Sequence, residues 1–307
     1  MDVSIVIVNY NTAQLSVACA ESILRQSLRS QIEIIIVDNG SEDDSVPRFR
    51  ALPPPVRLIE NGVNLGFAAA NNRGIRESTG RYVLLLNSDT EFLDAGLDSL
   101  IDYMDSDPSV ALVTCRLLNP DGSTQPSLRR FPTLVSAFMD AFLLTPIMVR
   151  IPFLAPLTLL EQDYTSTHEI EQAAGAFLLI RRGVFDRIGL LDERFFVYYE
   201  DVDFCLRLKQ SGYRAVYRPD VAVLHRSGGT FRGHRVAAHA ARLTSKVHYF
   251  SKHHPEQVWI VKILVSFELF WRTCLALAYA VFRPAQGDRP NRIFNSFLRT
   301  LKASWSV

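Results

Sequence analysis

The first 115 residues alternate between short apolar runs and segments with helical periodicity, and this alternation constrains the fold more than any other feature. Strands that are apolar along their whole length are typical of parallel sheets covered by helices on both faces. We therefore expect an α/β fold with a mostly parallel central sheet flanked by helices. The predicted strands are Val3–Val8, Ile32–Val37, Val56–Ile59, Tyr82–Leu86 and Val110–Cys115, and the predicted helices are Ala13–Leu28, Asp43–Ala51, Phe67–Ser78 and Asp94–Asp105.

The composition is that of a folded protein. The chain has 307 residues, 48% of them apolar and 21% charged, which is enough for one large domain or two ordinary ones. This composition excludes disordered, collagen-like and coiled-coil proteins. The four cysteines are widely spaced and form no CxxC pair, which argues against a disulfide scaffold and a zinc finger. Met1-Asp2 leads directly into the first predicted strand, without the features of a signal peptide, so we expect a cytoplasmic protein.

Polar residues directly follow the fourth predicted strand. Asn87-Ser88-Asp89 comes after Tyr82–Leu86, and ligands of such sheets bind beyond the carboxyl ends of the strands. A carboxylate at this place can hold a hard divalent cation, which in turn can bind a diphosphate. The same residues are also common in turns and helix caps, so this motif alone leaves both interpretations open.

The first two predicted strands end in residues suited to a nucleotide base. Asp38 can accept a hydrogen bond from a base N–H, and Tyr10 can stack on the base. Gly40-Ser41, which follows Asp38, equally suits a turn followed by a helix cap. The glycine patterns of dinucleotide-binding and P-loop proteins do not occur in the sequence.

Three acids, Glu200, Asp201 and Asp203, begin a helix predicted from Glu200 to Ser211. Acids in the first turn stabilise a helix by about 0.3–1 kcal/mol. They also follow an aromatic run, and a partly dry pocket would tune one of them as a general base. His225 ends a short apolar segment. It is a metal ligand if a carboxylate lies nearby and a structural residue otherwise.

The middle of the chain is less regular. We predict a strand at Ala173–Ile180, a helix at Arg182–Ile188, and extended segments at Tyr213–Tyr217 and Val221–His225. Residues 116–130 contain a turn and predict a hairpin or an excursion from the sheet. The apolar segment Phe131–Leu160 is interrupted by prolines and Arg150, which favours a buried or membrane-touching segment over a spanning helix.

The C-terminal region is basic and is predicted as helical from Gly233 to about Phe282, with an interruption near Pro255. Residues 226–307 contain 13 Lys and Arg against 3 Asp and Glu, a net charge of +10, so residues 1–225 carry −9 of the total of +1. Val258–Phe282 has the length of a membrane span but contains three charged residues. We expect it to lie in a membrane interface, or alternatively to pack on the domain. The charge predicts an anionic membrane surface as partner; no nucleic-acid-binding motif accompanies it.

As a set, these segments resemble the inverting family 2 glycosyltransferases, which have the GT-A fold. The resemblance covers about residues 3–230 and is closest to a rhamnosyltransferase-like bacterial branch that builds cell-wall and surface polysaccharides on lipid carriers. It implies a glycosyltransferase domain at 1–230, with a donor half at about 1–115 and an acceptor half at about 116–230. Residues 231–307 would form a basic, amphipathic helical extension. The blocks that carry it are Ser4–Asn11, Val37–Ser41, Asn64–Ala68, Leu86–Thr90, Gly175–Ile180, Gly189–Phe196 and Glu200–Arg207.

The resemblance also implies a role for each candidate site residue. Asp201 would be the base that deprotonates the acceptor hydroxyl, with Glu200 as the second candidate. Asp89 and His225 would bind the metal ion, Mg²⁺ or Mn²⁺. The residues implied for binding of the nucleotide-sugar are Tyr10, Asp38, Asn64, Asn72, Asn87 and Ser88.

Two positions depart from the family pattern. The usual D-x-D motif reads Asn87-Ser88-Asp89, which removes one carboxylate. Where many members have an Arg before the Asn of the third helix, this chain has Asn71-Asn72. The phosphate charge would then be met elsewhere, for example by Arg73, Arg226 or the metal ion.

The expected reaction is transfer of a sugar, with rhamnose as the candidate, from a UDP- or dTDP-linked donor to a hydroxyl group, with inversion. The expected acceptor is a saccharide on a polyprenyl diphosphate, at the inner face of the plasma membrane. The alternative is a catalytically silent subunit that binds a nucleotide-sugar or a glycan. A nucleotidyltransferase would need a glycine-rich, basic loop after the first strand, where the chain has Asn9-Tyr10-Asn11-Thr12.

Overall fold

The computed structural model describes residues 1–144, 148, 163–226, 235–282 and 290–307. These residues form two compact units. The first contains residues 1–130, 163–196 and 200–226, and the second contains residues 131–144 and 197–199 with the helices that follow residue 235. The predicted boundary at residue 230 stays a prediction, and the structure groups residues 131–144 with the C-terminal helices.

The first unit consists of strands and helices in alternation. Its strands are β1 Val3–Asn9, β2 Ile32–Asp38, β3 Val56–Glu60, β4 Tyr82–Asn87, β5 Thr90–Phe92, β6 Val110–Leu118, β7 Leu128–Arg129, β8 His168–Ile170, β9 Gln172–Ala173, β10 Phe177–Arg181 and β11 Arg214–His225. Its helices are α1 Ala13–Leu24, α2 Ser45–Arg50, α3 Phe67–Glu77, α4 Leu97–Ser106, α6 Gly183–Ile188 and α7 Glu200–Gln210. The second unit contains α5 Leu134–Ala141, α8 Arg235–His253, α9 Val258–Phe282 and α10 Pro290–Ser306.

The main sheet has the order β3-β2-β1-β4-β10-β6-β11-β5, with β8 paired to β11. Strands β3, β2, β1 and β4 are parallel, and β10 runs antiparallel between β4 and β6. Because β6 and β11 are parallel to each other, the carboxyl ends of β1, β2, β4, β6 and β11 lie at one edge of the sheet. The predicted α/β fold with a mostly parallel sheet is confirmed.

The central strands are buried on both faces, as their composition predicts. All seven residues of β1 are buried. Ile5 and Ile7 join the main apolar cluster with Cys19 and Ile23 of α1. On the opposite face Val6 lies against Gly74 of α3, where even a Cβ atom would collide with its side chain. Burial of this kind is worth about 25 cal/mol per Å² of apolar surface, so it stabilises the sheet.

Two predicted segments differ in the structure. The run predicted as one strand at Ala173–Ile180 is divided between β9, in a small sheet with β7, and β10, in the main sheet. The two segments predicted at Tyr213–Tyr217 and Val221–His225 instead form the single strand β11. Its pairing with β6 is irregular between Arg218 and Ala222, around Pro219, because proline cannot donate to the ladder.

Two further predictions fall on parts of the chain outside the described residues. One is the interpretation of Phe131–Leu160 as a buried or membrane-touching segment, of which residues 145–147 and 149–160 are not described. The other is that the sequence after His225, Arg226-Ser227-Gly228-Gly229, forms a flexible loop suited to an anion, of which residues 227–229 are not described. Residues 119–122 do form the predicted turn, in which the Gly122 N–H donates to the Asn119 carbonyl at 2.9 Å.

In the second unit, α9 directs Glu268 inward and a row of large apolar side chains outward. Glu268 is buried and lies 3.4 Å from Lys246 Nζ of α8 and 3.1 Å from Arg272 Nε. Lys246 also bonds Asp140 of α5 at 3.0 Å. The outward side chains, which we call the aromatic face, are Trp259, Ile263, Phe267, Phe270, Trp271 and Leu275, all exposed. No described helix, α9 included, is both long and apolar enough to cross a membrane.

A glycine-specific contact fixes the segment before α3. Gly66 has φ +89°, and a Cβ atom there would lie 2.7 Å from the Phe196 carbonyl oxygen. The Phe67 N–H donates to the same oxygen at 2.6 Å. Gly62 also has a positive φ, of +73°, but open space around it.

We therefore predict that Gly66→Ala lowers the free energy of unfolding by about 3 kcal/mol, since backbone strain and a backbone collision add. The matched variant Gly62→Ala suffers the strain alone and should lose about 1 kcal/mol. Urea unfolding of both variants measures the difference. Equal losses would contradict the close approach to Phe196.

Candidate active site

A buried polar network joins the ends of β1 and β2. Asn9 and Asp38 are register partners, and Asn9 Nδ2 lies 2.9 Å from Asp38 Oδ1. The other oxygen, Asp38 Oδ2, accepts from the Ser41 N–H at 3.0 Å. The predicted turn after Asp38 therefore exists, and it holds the carboxylate at the strand end. Tyr10 follows Asn9 directly and is partly buried.

A second network links the segment 61–66 to the end of β2. Asn39 Nδ2 donates to Asn64 Oδ1 at 3.0 Å, and Asn39 Oδ1 accepts from the Leu65 N–H at 3.0 Å. The structure thus brings Asn64 beside the Asp38-Asn39 strand end.

Ser88 is linked to the segment that follows β1, because its Oγ lies 3.3 Å from Thr12 Oγ1.

Asn72 is engaged elsewhere. Its Nδ2 donates to the Leu191 carbonyl at 2.8 Å and to Glu193 at 2.9 Å, while its Oδ1 accepts from the Leu191 N–H at 3.0 Å. The side chain is buried and anchors the segment 191–193. A donor-binding role for Asn72 stays a prediction, and the contacts in the structure are structural ones.

Asp89 and His225 face each other at the carboxyl edge. Asp89 Oδ1 lies 3.2 Å from His225 Nε2, and the Asn87 Nδ2 atom lies 3.4 Å from the same nitrogen. Asp89 and His225 are both buried. Strands β5 and β11 pair at Thr90 and His225, so the sheet itself places the histidine beside the Asn87-Ser88-Asp89 motif.

These residues fit a hard divalent cation that also binds substrate. No group of three or more acidic, His or Cys side chains able to hold a metal occurs among the described residues. Asp89 and His225 would supply two ligands, and Mg²⁺ in particular is commonly bound by one or two carboxylates plus substrate phosphates and water. The site would therefore hold the ion fully only together with a diphosphate. Asn87 stands at the first position of the D-x-D motif, so the motif supplies one carboxylate, that of Asp89, and the diphosphate would supply further ligands.

The two arginines considered for the phosphate charge already have partners. Arg73 donates to the Glu60 carbonyl and to Asn61 Oδ1. Arg226 pairs with Glu91 at 2.8 Å, and its N–H donates to the Asp89 carbonyl at 2.9 Å. Arg226 therefore remains next to the metal motif.

Asp201 lies at the same edge of the sheet as Asp89. Its Oδ2 accepts from the Gly175 N–H at 2.9 Å, and the neighbouring Ala176 carbonyl accepts from the Asn87 N–H at 3.0 Å. One residue pair, Gly175-Ala176, thus connects the candidate base to the metal motif. Asp203 is turned away and pairs with Arg207 at 2.8 Å, as expected for a structural acid in a helix.

Burial controls the protonation of Glu200 and Asp201. Desolvation raises the pKa of Glu200 well above its ordinary value, and the neighbouring charge of Asp201 raises it further. Its Oε2 atom is buried without a hydrogen-bond partner. Desolvation also raises the pKa of Asp201, although backbone N–H groups of Val202 and Gly175 act in the opposite direction. Glu200 and Asp201 are adjacent in the chain, and backbone hydrogen bonds lower the pKa of Asp201 relative to that of Glu200. A difference in pKa between two neighbouring acids allows one to be protonated while the other acts as a base.

The backbone before these acids is strained. Tyr198 and Tyr199 have φ of 66° and 71°, in the left-handed region that bulky residues rarely adopt. Such conformations cost about 1–3 kcal/mol and cluster at functional sites. The two residues directly precede Glu200 and Asp201 in the chain.

Sequence reasoning missed three supporting residues. Gln125 contacts His225 Nδ1 at 2.6 Å, Asn39 organises the segment 61–66, and Gly175 bonds Asp201. Asn39 and Gly175 lie within blocks that carry the family resemblance, which is the one signal that could have singled them out. Gln125 lies in a polar turn segment that carries no such signal.

Comparison with known proteins identifies the family. The model of the family described as "Glycosyl transferase family 2" matches residues 4–189. An N-acetylglucosaminyl-diphospho-decaprenol L-rhamnosyltransferase of Mycobacterium tuberculosis is 32% identical over 221 residues, covering 68% of this chain and 71% of the relative. The rhamnosyltransferase WbbL of Escherichia coli is 31% identical over 175 residues, covering 54% of this chain and 62% of WbbL.

A solved structure shares the fold. The mannosyltransferase PcManGT from Pyrobaculum calidifontis, in complex with GDP-Man and Mn²⁺, has a TM-score of 0.57 and 20% identity over 99% of this chain and 86% of its own. At that identity the likeness concerns the fold. With the match of the family model over more than half of the chain, it shows that this protein belongs to glycosyl transferase family 2 and has the GT-A fold.

Proposed function

We propose that the protein transfers a sugar from a nucleoside-diphosphate sugar to a hydroxyl of a saccharide acceptor, with inversion of configuration. One observation carries the proposal. Gly175-Ala176 connects Asp201 to Asn87, and the Asn87-Ser88-Asp89 motif in turn faces His225. The residues that we propose as the base and as the diphosphate-binding pair are thus linked at one edge of the sheet, which supports a one-step displacement.

In this mechanism Asp201 accepts the proton of the acceptor hydroxyl while the hydroxyl oxygen attacks the anomeric carbon. The bond from that carbon to the diphosphate oxygen breaks in line, so the nucleoside diphosphate leaves and the configuration inverts. Asp89 and His225 would hold Mg²⁺ or Mn²⁺, which when bound stabilises the negative charge of the leaving group. Asp38 and Tyr10 would bind the base, with Asn64, Asn87 and Ser88 near the donor.

The relatives indicate the substrates. The Mycobacterium tuberculosis relative is named for transfer of L-rhamnose to a diphospho-decaprenol lipid, and WbbL is named a rhamnosyltransferase. We therefore propose rhamnose as the sugar, a dTDP- or UDP-linked donor, and a polyprenyl-diphosphate-linked saccharide as the acceptor. This assignment makes the protein part of bacterial cell-wall or surface-polysaccharide synthesis.

We also propose that the aromatic face of the second unit lies on an anionic membrane at the cytoplasmic side. The aromatic face is supplemented by Phe142, directly after α5, whose ring centroid lies 4.8 Å from that of Phe267 in a tilted arrangement. Trp259 is 61% exposed and Phe270 56% exposed. Aromatic side chains of this kind bind membrane interfaces, and the excess of basic residues after residue 225 adds attraction to anionic lipids.

The first prediction concerns the base. Asp201→Asn should lower kcat by about 10²- to 10⁴-fold, because general-base catalysis contributes that much, while binding of the donor stays unchanged. Release of nucleoside diphosphate is measured with dTDP-rhamnose and UDP-sugars, Mn²⁺ and a diphospho-polyprenol N-acetylglucosamine acceptor. Donor binding is measured by calorimetry. Near-normal turnover in the variant would reject Asp201 as the base. A wild-type protein that binds donor and never releases diphosphate would support the silent binding subunit instead.

The second prediction separates Glu200 from Asp201. Burial and the charge of Asp201 raise the pKa of Glu200 and so favour its protonated form, which Glu200→Gln resembles; this variant should retain kcat within about threefold.

Stability provides the second readout for Glu200. In wild type, the free energy of unfolding falls as the pH rises from 4.5, the pKa of Glu200 in the unfolded chain, through its higher pKa in the folded protein. The loss is about 1.4 kcal/mol for each pH unit between these two pKa values. Urea unfolding from pH 4.5 to 8 should show that the free energy of unfolding of Glu200→Gln increases relative to that of wild type as the pH rises. A variant that gains nothing, or that loses activity as Asp201→Asn does, would contradict this assignment.

The third prediction tests the aromatic face. Replacing Trp259 and Trp271 by Ser should reduce binding to phosphatidylglycerol-containing liposomes by about tenfold or more. Full insertion of one such side chain contributes roughly 1.5–3 kcal/mol of binding free energy, and each substitution removes that contribution. The control replaces the exposed Val63 and Leu93 of the first unit by Ser. Flotation compares the three proteins. Equal binding by all three would show that the aromatic face does not contact the membrane.

A further inference from the structure

Gln125 lies beside the candidate metal site, although it is not one of its candidate ligands. Its Oε1 is 2.6 Å from His225 Nδ1, the ring nitrogen opposite the one that faces Asp89. The carbonyl oxygen of an amide can only accept a hydrogen bond, so this short contact favours the form of the ring with the hydrogen on Nδ1. In the neutral ring, Nε2 is then left with its lone pair.

Nε2 faces one donor and one acceptor, so a proton or a cation has to lie between Nε2 and Asp89. The neighbours of Nε2 are Asp89 Oδ1 at 3.2 Å and Asn87 Nδ2 at 3.4 Å. The amide NH₂ of Asn87 is a donor and can face a lone pair. The lone pair of Nε2 and the carboxylate oxygen of Asp89 point toward the same small region, which suits a cation between or beside them.

Gln125 is itself held in place. Its Nε2 donates to Asn119 Oδ1 at 3.0 Å, which directs its Oε1 toward the histidine, and its N–H donates to the Leu117 carbonyl at 2.8 Å. Asn119 is fixed by the turn, since its N–H donates to the Ser123 carbonyl at 2.8 Å. Strand β6, which precedes the turn, pairs with β11 up to Leu118 and Leu224. The sheet and the turn together place Gln125 next to His225.

We propose that Gln125 is a positioning residue that holds His225 in the Nδ1–H tautomer and so presents Nε2, together with Asp89, to the divalent cation. The proposal rests on the proposed function for the identity of the cation. Residues that orient a metal-binding histidine through its second nitrogen typically change metal affinity by 10–100-fold when they are replaced.

The experiment compares two variants of similar shape. Gln125→Met removes the acceptor and should weaken Mn²⁺ binding, measured by electron paramagnetic resonance in the presence of UDP or dTDP, by about 10–100-fold. Gln125→Glu retains an acceptor oxygen and should remain within about threefold of wild type. Thermal unfolding of each variant verifies folding. Gln125→Met with wild-type Mn²⁺ affinity would overturn the proposal, and so would Gln125→Glu as weak as Gln125→Met.

A second measurement needs neither metal nor variant of Gln125. Long-range ¹H–¹⁵N spectra of the metal-free wild type, with His225→Gln used to assign the ring, report which nitrogen carries the hydrogen at a pH where the ring is neutral. The expected form is Nδ1–H, and the Nε2–H form would overturn the proposal. A wild type that shows Nδ1–H but has no affinity for Mn²⁺ with either nucleotide would instead contradict the metal site of the proposed function.

Discussion

The parallel pairing of β2, β1 and β4 is the constraint on which the rest of the site depends. It sets Asn9 beside Asp38 and places the end of β4 next to the end of β1. The antiparallel β10 then enters from the same edge, so that Gly175 and Ala176 meet Asp201 and Asn87. Strand β11 ends there with His225. Residues as far apart in the sequence as Asn9 and His225 therefore lie at the carboxyl ends of strands of one sheet.

The carboxylates at this edge are held in two different ways. Asp38 and Asp89 have strong polar neighbours, namely Asn9 and Ser41 for the first and His225 for the second. Glu200 and Asp201 instead have raised pKa values: desolvation and the charge of Asp201 raise that of Glu200, and for Asp201 desolvation outweighs the backbone hydrogen bonds from Val202 and Gly175. The first arrangement suits recognition of a nucleotide and a cation. The second suits the taking of a proton, since a base is stronger when its pKa lies closer to the working pH.

Much of this arrangement follows from the sequence alone. The Val- and Ile-rich runs predict the parallel strands, and the polar residues at their ends predict the edge at which the site lies. What could not be predicted is the contribution of residues whose role depends on long-range pairing. The antiparallel insertion of β10, the division of 173–180 between two sheets, and the contact of Gln125 with His225, 100 residues away, leave no local pattern. The burial of Glu268 against Lys246 likewise depends on a contact between two helices, so periodicity within one helix does not reveal it.

The central claim is that Asp89 and His225 bind a divalent cation beside a diphosphate at the edge that also carries Asp201. Crystals of the protein grown with Mn²⁺ and UDP or dTDP would locate manganese by its anomalous scattering. The account predicts one manganese peak in bonding contact with an Asp89 carboxylate oxygen, His225 Nε2 and a diphosphate oxygen, on the same edge as Asp201. A manganese ion bound with the nucleotide at any other group of side chains would contradict it.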